Sequence, residues 1–451
     1  MSIFNYFKQP PVLPEIKNEA TVKKMYRHWR IRIMYSMYMG YAFYYFTRKS
    51  FTFAVPSIIE ELGFTKAQMG LVATVFSLTY AVCKFASGII VDQANPRILM
   101  SVGLLMTGVW NICFGMSSSI LFFTIFWAMN AVFQGCGAPP CARWLSHWYS
   151  QNERGKWWSL WNTSHNLGGF LIPYIVGMCA QYLGWRYAMY IPGVLCIITG
   201  LFLLERLRDT PQSLGLPPIE EFRDDYPNKG HHEEMQHKLS TKEIFRDYIL
   251  PNKYIWFLVL SYFFVYLIRS SINDWSNLFL YEEKFSMDPS PQKAKFKAIA
   301  LVSCFEAGGF VGSLIAGWCS DFFFKGRRIP VAILYIACCI GSIAGFWYAP
   351  NTSTFLNGLA LFAIGFFIFG PQMLTSMATV EVTHKKAAGT AMGFASLFAY
   401  TGAAVAGYPM MLLADKLGWE GFFIALGAAG IICICLQLPL WNARSNPAFE
   451  E

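Results

Sequence analysis

The chain has 451 residues, 55% hydrophobic and 17% aromatic but only 14% charged, with a net charge of +9. Soluble domains carry about 25% charged residues, so this balance excludes a large water-soluble core and indicates a polytopic membrane protein. The excess of Lys and Arg is explained by basic loops on one side of a bilayer, and no nucleic-acid partner is expected.

A bilayer-spanning helix needs about 20 apolar residues. Twelve such runs follow one another, at 31–56, 66–90, 98–117, 119–141, 157–182, 187–205, 253–280, 296–320, 329–348, 354–378, 387–413 and 419–440. Residues 1–30 form a polar N-terminal segment, and the first apolar run is too long for a cleavable signal. Spans one to six make a first bundle, 31–205, and spans seven to twelve a second, 253–441, with a tail at 442–451. Between them, 206–252 is mixed in charge and holds Pro211, Pro217, Pro218 and Pro227, which reads as a surface linker. Within it, Ser240-x2-Glu243 resembles a capping box that would start a short helix. The expected fold is therefore an all-α membrane protein of twelve transmembrane helices in two pseudo-symmetric six-helix bundles.

Orientation follows from the loops. Lys23, Lys24, Arg27, Arg97, Arg154, Lys156, Arg206, Arg208, Lys325, Arg327, Arg328, Lys385, Lys386 and Arg444 all fall on the side of the termini. Both termini should be cytoplasmic, although the link after span seven carries Lys284, Lys293, Lys295 and Lys297 against the rule.

Charge interrupts the first span in the stretch Tyr41–Phe51, YAFYYFTRKSF. A cation within a bilayer costs at least ~2.5–3.5 kcal/mol, so Arg48 and Lys49 demand a reason. Helical spacing places Tyr41, Tyr44 and Tyr45 on the face of Arg48. The seventh span repeats the pattern: Tyr262, Tyr266 and Arg269 match Tyr41, Tyr45 and Arg48, offset by 221 residues (269 − 48). A second marker agrees. Gly88-x3-Asp92 ends span two and Gly317-x3-Asp321 ends span eight, offset by 229 (321 − 92). Two related halves around a mid-membrane site are a secondary-transporter architecture.

Arg48 and Arg269 are the leading site candidates. They could each pair with Glu306 or Asp274 and only lock helices, but the intramembrane charge balance is positive and favours an anion site. Two guanidinium forks facing one cavity suit a phosphoryl group, since Arg bonds its oxygens bidentately and keeps its proton. Lys84, four residues after Tyr80, either snorkels or adds a second cation. His165, with Asn162 one turn earlier, either packs in the core or touches the ligand. Tyr41, Tyr45, Tyr80, Tyr262 and Tyr266 either line a cavity or pack, with Tyr45 and Tyr266 favoured by their closeness to an Arg. Phe369-Gly370-Pro371-Gln372 marks a helix bend. Glu306 either offsets the cations or takes part in gating, and Asp92 and Asp321 are expected to lock helix ends.

No P-loop, dinucleotide fingerprint, H-E-x-x-H or nucleophile elbow occurs, so neither enzyme activity nor a cofactor is expected. The twelve cysteines sit singly, or as Cys338-Cys339 and Cys433-x-Cys435, nearly all within apolar runs, without metal spacing.

The stretches YYFTRKSF, CKFASGIIVDQANPR, FQGCGAPPCARW, WNTSHNLGG, RDTPQSLGLPPIEE, YLIRSSINDW, IFGPQML and KKAAGTAMGF resemble the organophosphate:phosphate antiporters of the major facilitator superfamily, from about Trp29 to Trp441. RDTPQSLGLPPIEE looks like the glycerol-3-phosphate branch, whereas RSSINDWSNLF, FGPQMLTSMA and SLFAYTGAAVAGYP look closer to the hexose-phosphate sensor type. The resemblance implies that Arg48 and Arg269 bind phosphate, that His165 takes part, and that Lys84, Tyr45 and Tyr266 line the path. Some hexose-phosphate members carry an added Asp and Lys in span eleven; Met392 and Ala395 hold those places here. The expected activity is exchange of a sugar phosphate, foremost glucose 6-phosphate, for inorganic phosphate across a bacterial inner membrane by a monomer. The alternatives are a sensor of external hexose phosphate acting with a histidine kinase, and a glycerol-3-phosphate:phosphate antiporter.

Overall fold

The computed structural model describes residues 9–91, 94–224, 244–286, 288–351, 353–383 and 388–442. These residues are helical almost throughout, as apolar runs in lipid must be to satisfy their own backbone. In chain order the helices are α1 Glu19–Leu62, α2 Lys66–Val91, α3 Pro96–Met116, α4 Ile120–Gln134, α5 Ala138–Trp148, α6 Gln151–Tyr182, α7 Trp185–Arg206, α8 Ile219–Arg223, α9 Lys253–Phe279, α10 Pro291–Phe324, α11 Arg328–Tyr348, α12 Thr354–Glu381, α13 Ala388–Val405 and α14 Tyr408–Gln437. Polar caps set many starts. Asn18 accepts from the Thr21 amide, Asn95 from Arg97, Asn252 from Tyr254 and Ser353 from Leu356. Ser150 and Glu153 form a reciprocal capping box for α6.

All twelve expected spans correspond to helix. Among the described residues, nine stretches are long and apolar enough to cross a bilayer, and one of them, Thr390–Leu440, covers 51 residues. A straight helix of that length would reach about 77 Å, more than twice a bilayer core. The stretch instead breaks after Val405 and folds back at Gly418, whose φ of 68° suits glycine alone. It therefore supplies two passes. The two remaining spans, in α1 and α6, fall outside the nine because polar and charged residues interrupt them.

Three boundaries differ from the sequence reading. Helix α1 begins at Glu19 and continues through Pro56 to Leu62, so much of the polar N-terminal segment is already helix. The fourth span stops at Gln134 and resumes as α5 after a turn at Gly135–Gly137. The first third of the linker is not a free surface strand. Leu207, Leu216 and Ile219 are buried, and Asp209 pairs with Arg143 at 3.1 Å. The Trp144 and Trp148 indoles donate to the carbonyls of Arg208 and Asp209, and the Phe222 ring stacks on Tyr26 at 4.1 Å. The expected capping box at Ser240 lies outside the described residues.

The halves meet where α6 packs on α10 and where α2 packs on α13 and α14. Their bonds concentrate on the far side from the termini. Lys66 pairs with Glu282 at 2.7 Å, which also takes the Trp419 indole at 2.8 Å. Glu60 accepts from both Tyr281 and Lys295. The Ala67 amide donates to Asp415 at 2.7 Å, and Thr74 donates to the Ala404 carbonyl at 2.6 Å. Here Gly70 and Gly407 bring main chains together: a Cβ built on Gly70 would lie 2.9 Å from the Gly407 carbonyl oxygen. On the terminus side, by contrast, Gly88 of α2 and Gly393 of α13 face open space.

Candidate functional site

A cavity of about 220 Å³ lies between the halves, lined by both Arg48 and Arg269. Arg48 projects from α1 and Arg269 from α9, at matching places in the two halves. The Arg48 guanidinium rests 4.4 Å from the Tyr80 ring centre and 4.8 Å from that of Tyr45. Its Nε donates to Gln134 Oε1 at 3.2 Å. Gln134 is itself held by donating to the Tyr44 carbonyl at 3.1 Å and to the Thr47 hydroxyl at 2.9 Å. The Arg269 guanidinium lies 4.5 Å from the Phe369 ring centre and 5.7 Å from that of Tyr266. Its Nε is buried with no hydrogen-bond partner.

Neither arginine is in an ion pair among the described residues. Asp274 pairs instead with Lys49, at 3.1 Å across the two halves. Glu306 is 3% exposed, with neither carboxylate oxygen hydrogen-bonded. Cation–π contacts hold guanidinium groups in place without neutralising them. The cavity thus keeps two full positive charges in a setting of low dielectric, where an anion is the favourable occupant.

The match to known proteins is extensive. The model of the Major Facilitator Superfamily matches residues 37–408. A "Probable hexose phosphate transport protein" of Chlamydia pneumoniae is 51% identical over 457 residues, covering 99% of this chain and 99% of its own. The chain belongs to the organophosphate:phosphate antiporter family of the major facilitator superfamily. The "Membrane sensor protein UhpC" of Escherichia coli (strain K12) is 44% identical, covering 98% of each chain. The "Glycerol-3-phosphate transporter" of Bacillus subtilis (strain 168) is 36% identical, again covering 98% of each. The solved structure of nucleoside transporter NupG superposes with a TM-score of 0.70 at 14% identity, covering 91% of this chain and 99% of that one, a likeness of fold alone. Membership groups the chain with carriers and not with enzymes.

In this facilitator protein, Tyr41, Tyr45, Tyr80, Lys84, Asn162, His165 and Tyr266 all line the same cavity as the arginines. His165 sits 5.6 Å from Tyr45, ring to ring. Two tyrosines named from the sequence do not line it. Tyr44 is fully buried in the first half, donating to the Met100 carbonyl at 2.9 Å; one residue of helical rotation turns it inward from Tyr45. Tyr262 stands behind Tyr266, ring centres 4.9 Å apart. Met392 and Ala395 are likewise absent from the lining. Glu306 lines a separate lateral pocket with Tyr38 and Asn166, opposite Gly169. Asp321 pairs with Arg328 at 2.6 Å, and Arg328 also bonds Glu381 at 3.0 Å, so this cluster stays within the second half. Asp92 lies outside the described residues, as do Lys385, Lys386 and Arg444.

Sequence reasoning missed Tyr400 of α13. Its hydroxyl accepts from Lys84 Nζ at 3.3 Å, and its ring meets Tyr80 at 4.9 Å and Tyr266 at 5.6 Å. An aromatic bridge therefore runs from the Arg48 platform to the Arg269 platform. The available signal was a lone phenol within an otherwise apolar run, Phe398–Thr401.

Proposed function

We propose that the protein exchanges a sugar phosphate, foremost glucose 6-phosphate, for inorganic phosphate across a bacterial inner membrane, with both termini in the cytoplasm. The observation that carries this reading is the pair of guanidinium groups, one from each half, lining one cavity with neither in an ion pair among the described residues. A phosphate bridging Arg48 and Arg269 would take bidentate bonds from both forks. His165, Lys84, Tyr45 and Tyr266 complete the contact surface, with Tyr41, Tyr80 and Asn162 around it. An empty site leaves two cations facing each other and opposes closure, whereas an occupied one draws α1 and α9 together. Only the loaded carrier then crosses cheaply, which makes exchange obligatory. On this reading the structure is the inward-open state, and Lys49–Asp274 belongs to the closed outer side. The working unit is a monomer, since each chain contains both arginines.

The higher identity to hexose-phosphate relatives than to the glycerol-3-phosphate relative supports the hexose reading over a glycerol-3-phosphate:phosphate antiporter. A second reading, a sensor of external hexose phosphate acting with a histidine kinase, is supported by the 44% identity to the sensor-named relative. Phosphate counterflow in proteoliposomes, competed by glucose 6-phosphate against glycerol 3-phosphate, separates all three. Counterflow inhibited best by glucose 6-phosphate is the expected result. Binding of the sugar phosphate without any counterflow would overturn transport in favour of the sensor.

A further inference from the structure

The cavity's unmatched polar atoms are concentrated on the second half. Three occur on the lining: Arg269 Nε, Asn273 Oδ1 and Gln372 Oε1, each buried without a hydrogen-bond partner. Arg269 Nε is a donor and suits a phosphate oxygen. The other two are amide oxygens, which only accept.

Both amides have committed their NH₂ groups to the protein. Asn273 Nδ2 donates to Asp274 Oδ1 at 3.0 Å. That orientation is fixed chemically, because the carboxylate, already paired with Lys49, offers nothing but acceptors. Gln372 Nε2 donates to the Tyr266 hydroxyl at 3.3 Å, directly after the proline within α12. The two carbonyl oxygens are left bare beside Arg269. Asn273 lies four residues after Arg269, about 6 Å along α9, and Tyr266, which anchors Gln372, lies three residues before it. Asn273, Gln372 and Arg269 line the same cavity.

A bare acceptor beside a phosphate site has a definite chemical meaning. The head group of a dianionic phosphate ester has no proton to give it, and an unsatisfied buried carbonyl carries a desolvation penalty. A hydroxyl of a polyol chain donates and removes that penalty. We propose that the amide oxygens of Asn273 and Gln372, which share a cavity with Arg269, recognise hydroxyl groups on the organic part of the ligand, so that the second half selects a polyhydroxylated phosphate ester. The inference rests on the reading of this cavity as an organic-phosphate site.

Trp127 and Trp275 line the cavity and supply an intrinsic fluorescence signal for binding to the purified protein. Dissociation constants for glucose 6-phosphate, n-propyl phosphate and inorganic phosphate would be measured for wild type, Asn273→Leu and Gln372→Leu. The expected result is a rise of roughly three- to tenfold in the ratio of the glucose 6-phosphate constant to the phosphate constant in each variant, the scale of one hydrogen bond. The corresponding ratio for n-propyl phosphate, which has no hydroxyl, should move less than twofold. Equal movement of both ratios, or of neither, would overturn the assignment. Should a variant fail to fold, deoxy analogues of glucose 6-phosphate on the wild type give the same reading: equal affinity for every analogue sinks the proposal. Wild-type protein that binds none of the three phosphates would instead refute the organic-phosphate site itself.

Discussion

The first half pins its arginine and the second does not. Arg48 gives its Nε to Gln134, and Gln134 is locked by two further bonds into the wall of the first half. The corresponding place in the second half, offset by 235 residues (369 − 134), is Phe369, which offers Arg269 a ring face and no acceptor. Each residue precedes a glycine, Gly135 or Gly370, where the helix is irregular or proline follows. The duplication thus conserved the position of the charge while changing its freedom. Arg48 is a fixed fork, whereas Arg269 retains hydrogen-bonding capacity that the protein leaves unmet. On the proposed reading, one side of the site positions phosphate and the other responds to what arrives.

The strongest test replaces each arginine by lysine. Arg48→Lys and Arg269→Lys keep the charge but lose the fork, and each should reduce phosphate exchange in proteoliposomes roughly a hundredfold, the scale of one or two lost hydrogen bonds to a charged group. Size-exclusion profiles should be unchanged, and normal exchange in either variant breaks the pairing of the two residues. A smaller effect is expected from Gln134→Leu, which strips Arg48 of its acceptor and removes the bonds to the Tyr44 carbonyl and the Thr47 hydroxyl. About tenfold weaker phosphate affinity is expected, from hydrogen bonds to a charged group. The smallest and most discriminating change is Phe369→Gln. It gives Arg269 an internal acceptor and should weaken phosphate binding about threefold, by satisfying in advance the donor the ligand would use. Tighter binding in that variant would show that the freedom of Arg269 is a defect and not a function.

Much of this was readable in the chain because the relevant contacts are local. Tyr45 and Arg48, or Tyr266 and Arg269, share a face through helical spacing alone, and the repeated spacing exposes the duplication. What was hidden depends on partners far away in sequence. Tyr400 acquires its meaning from partners such as Lys84, 316 residues earlier. Lys49 demands a reason in the sequence, and its partner Asp274 lies 225 residues later. The docked linker misled for a different reason: Leu207, Leu216 and Ile219 are spaced irregularly among prolines and charges, so no periodic apolar face announces their burial.

The glycine contact on the far side has a consequence for how the molecule rests. Where Gly70 meets Gly407 the two glycines themselves bring no rotamers to freeze on closing and no methyl groups to withdraw on parting. On the proposed exchange cycle, such a seam would form and dissolve with little hysteresis, leaving the balance between its two positions to the few ion pairs around it. A single methyl group at Gly70 would act as a wedge, and the idle carrier would then spend more of its time exposed to the opposite face of the bilayer.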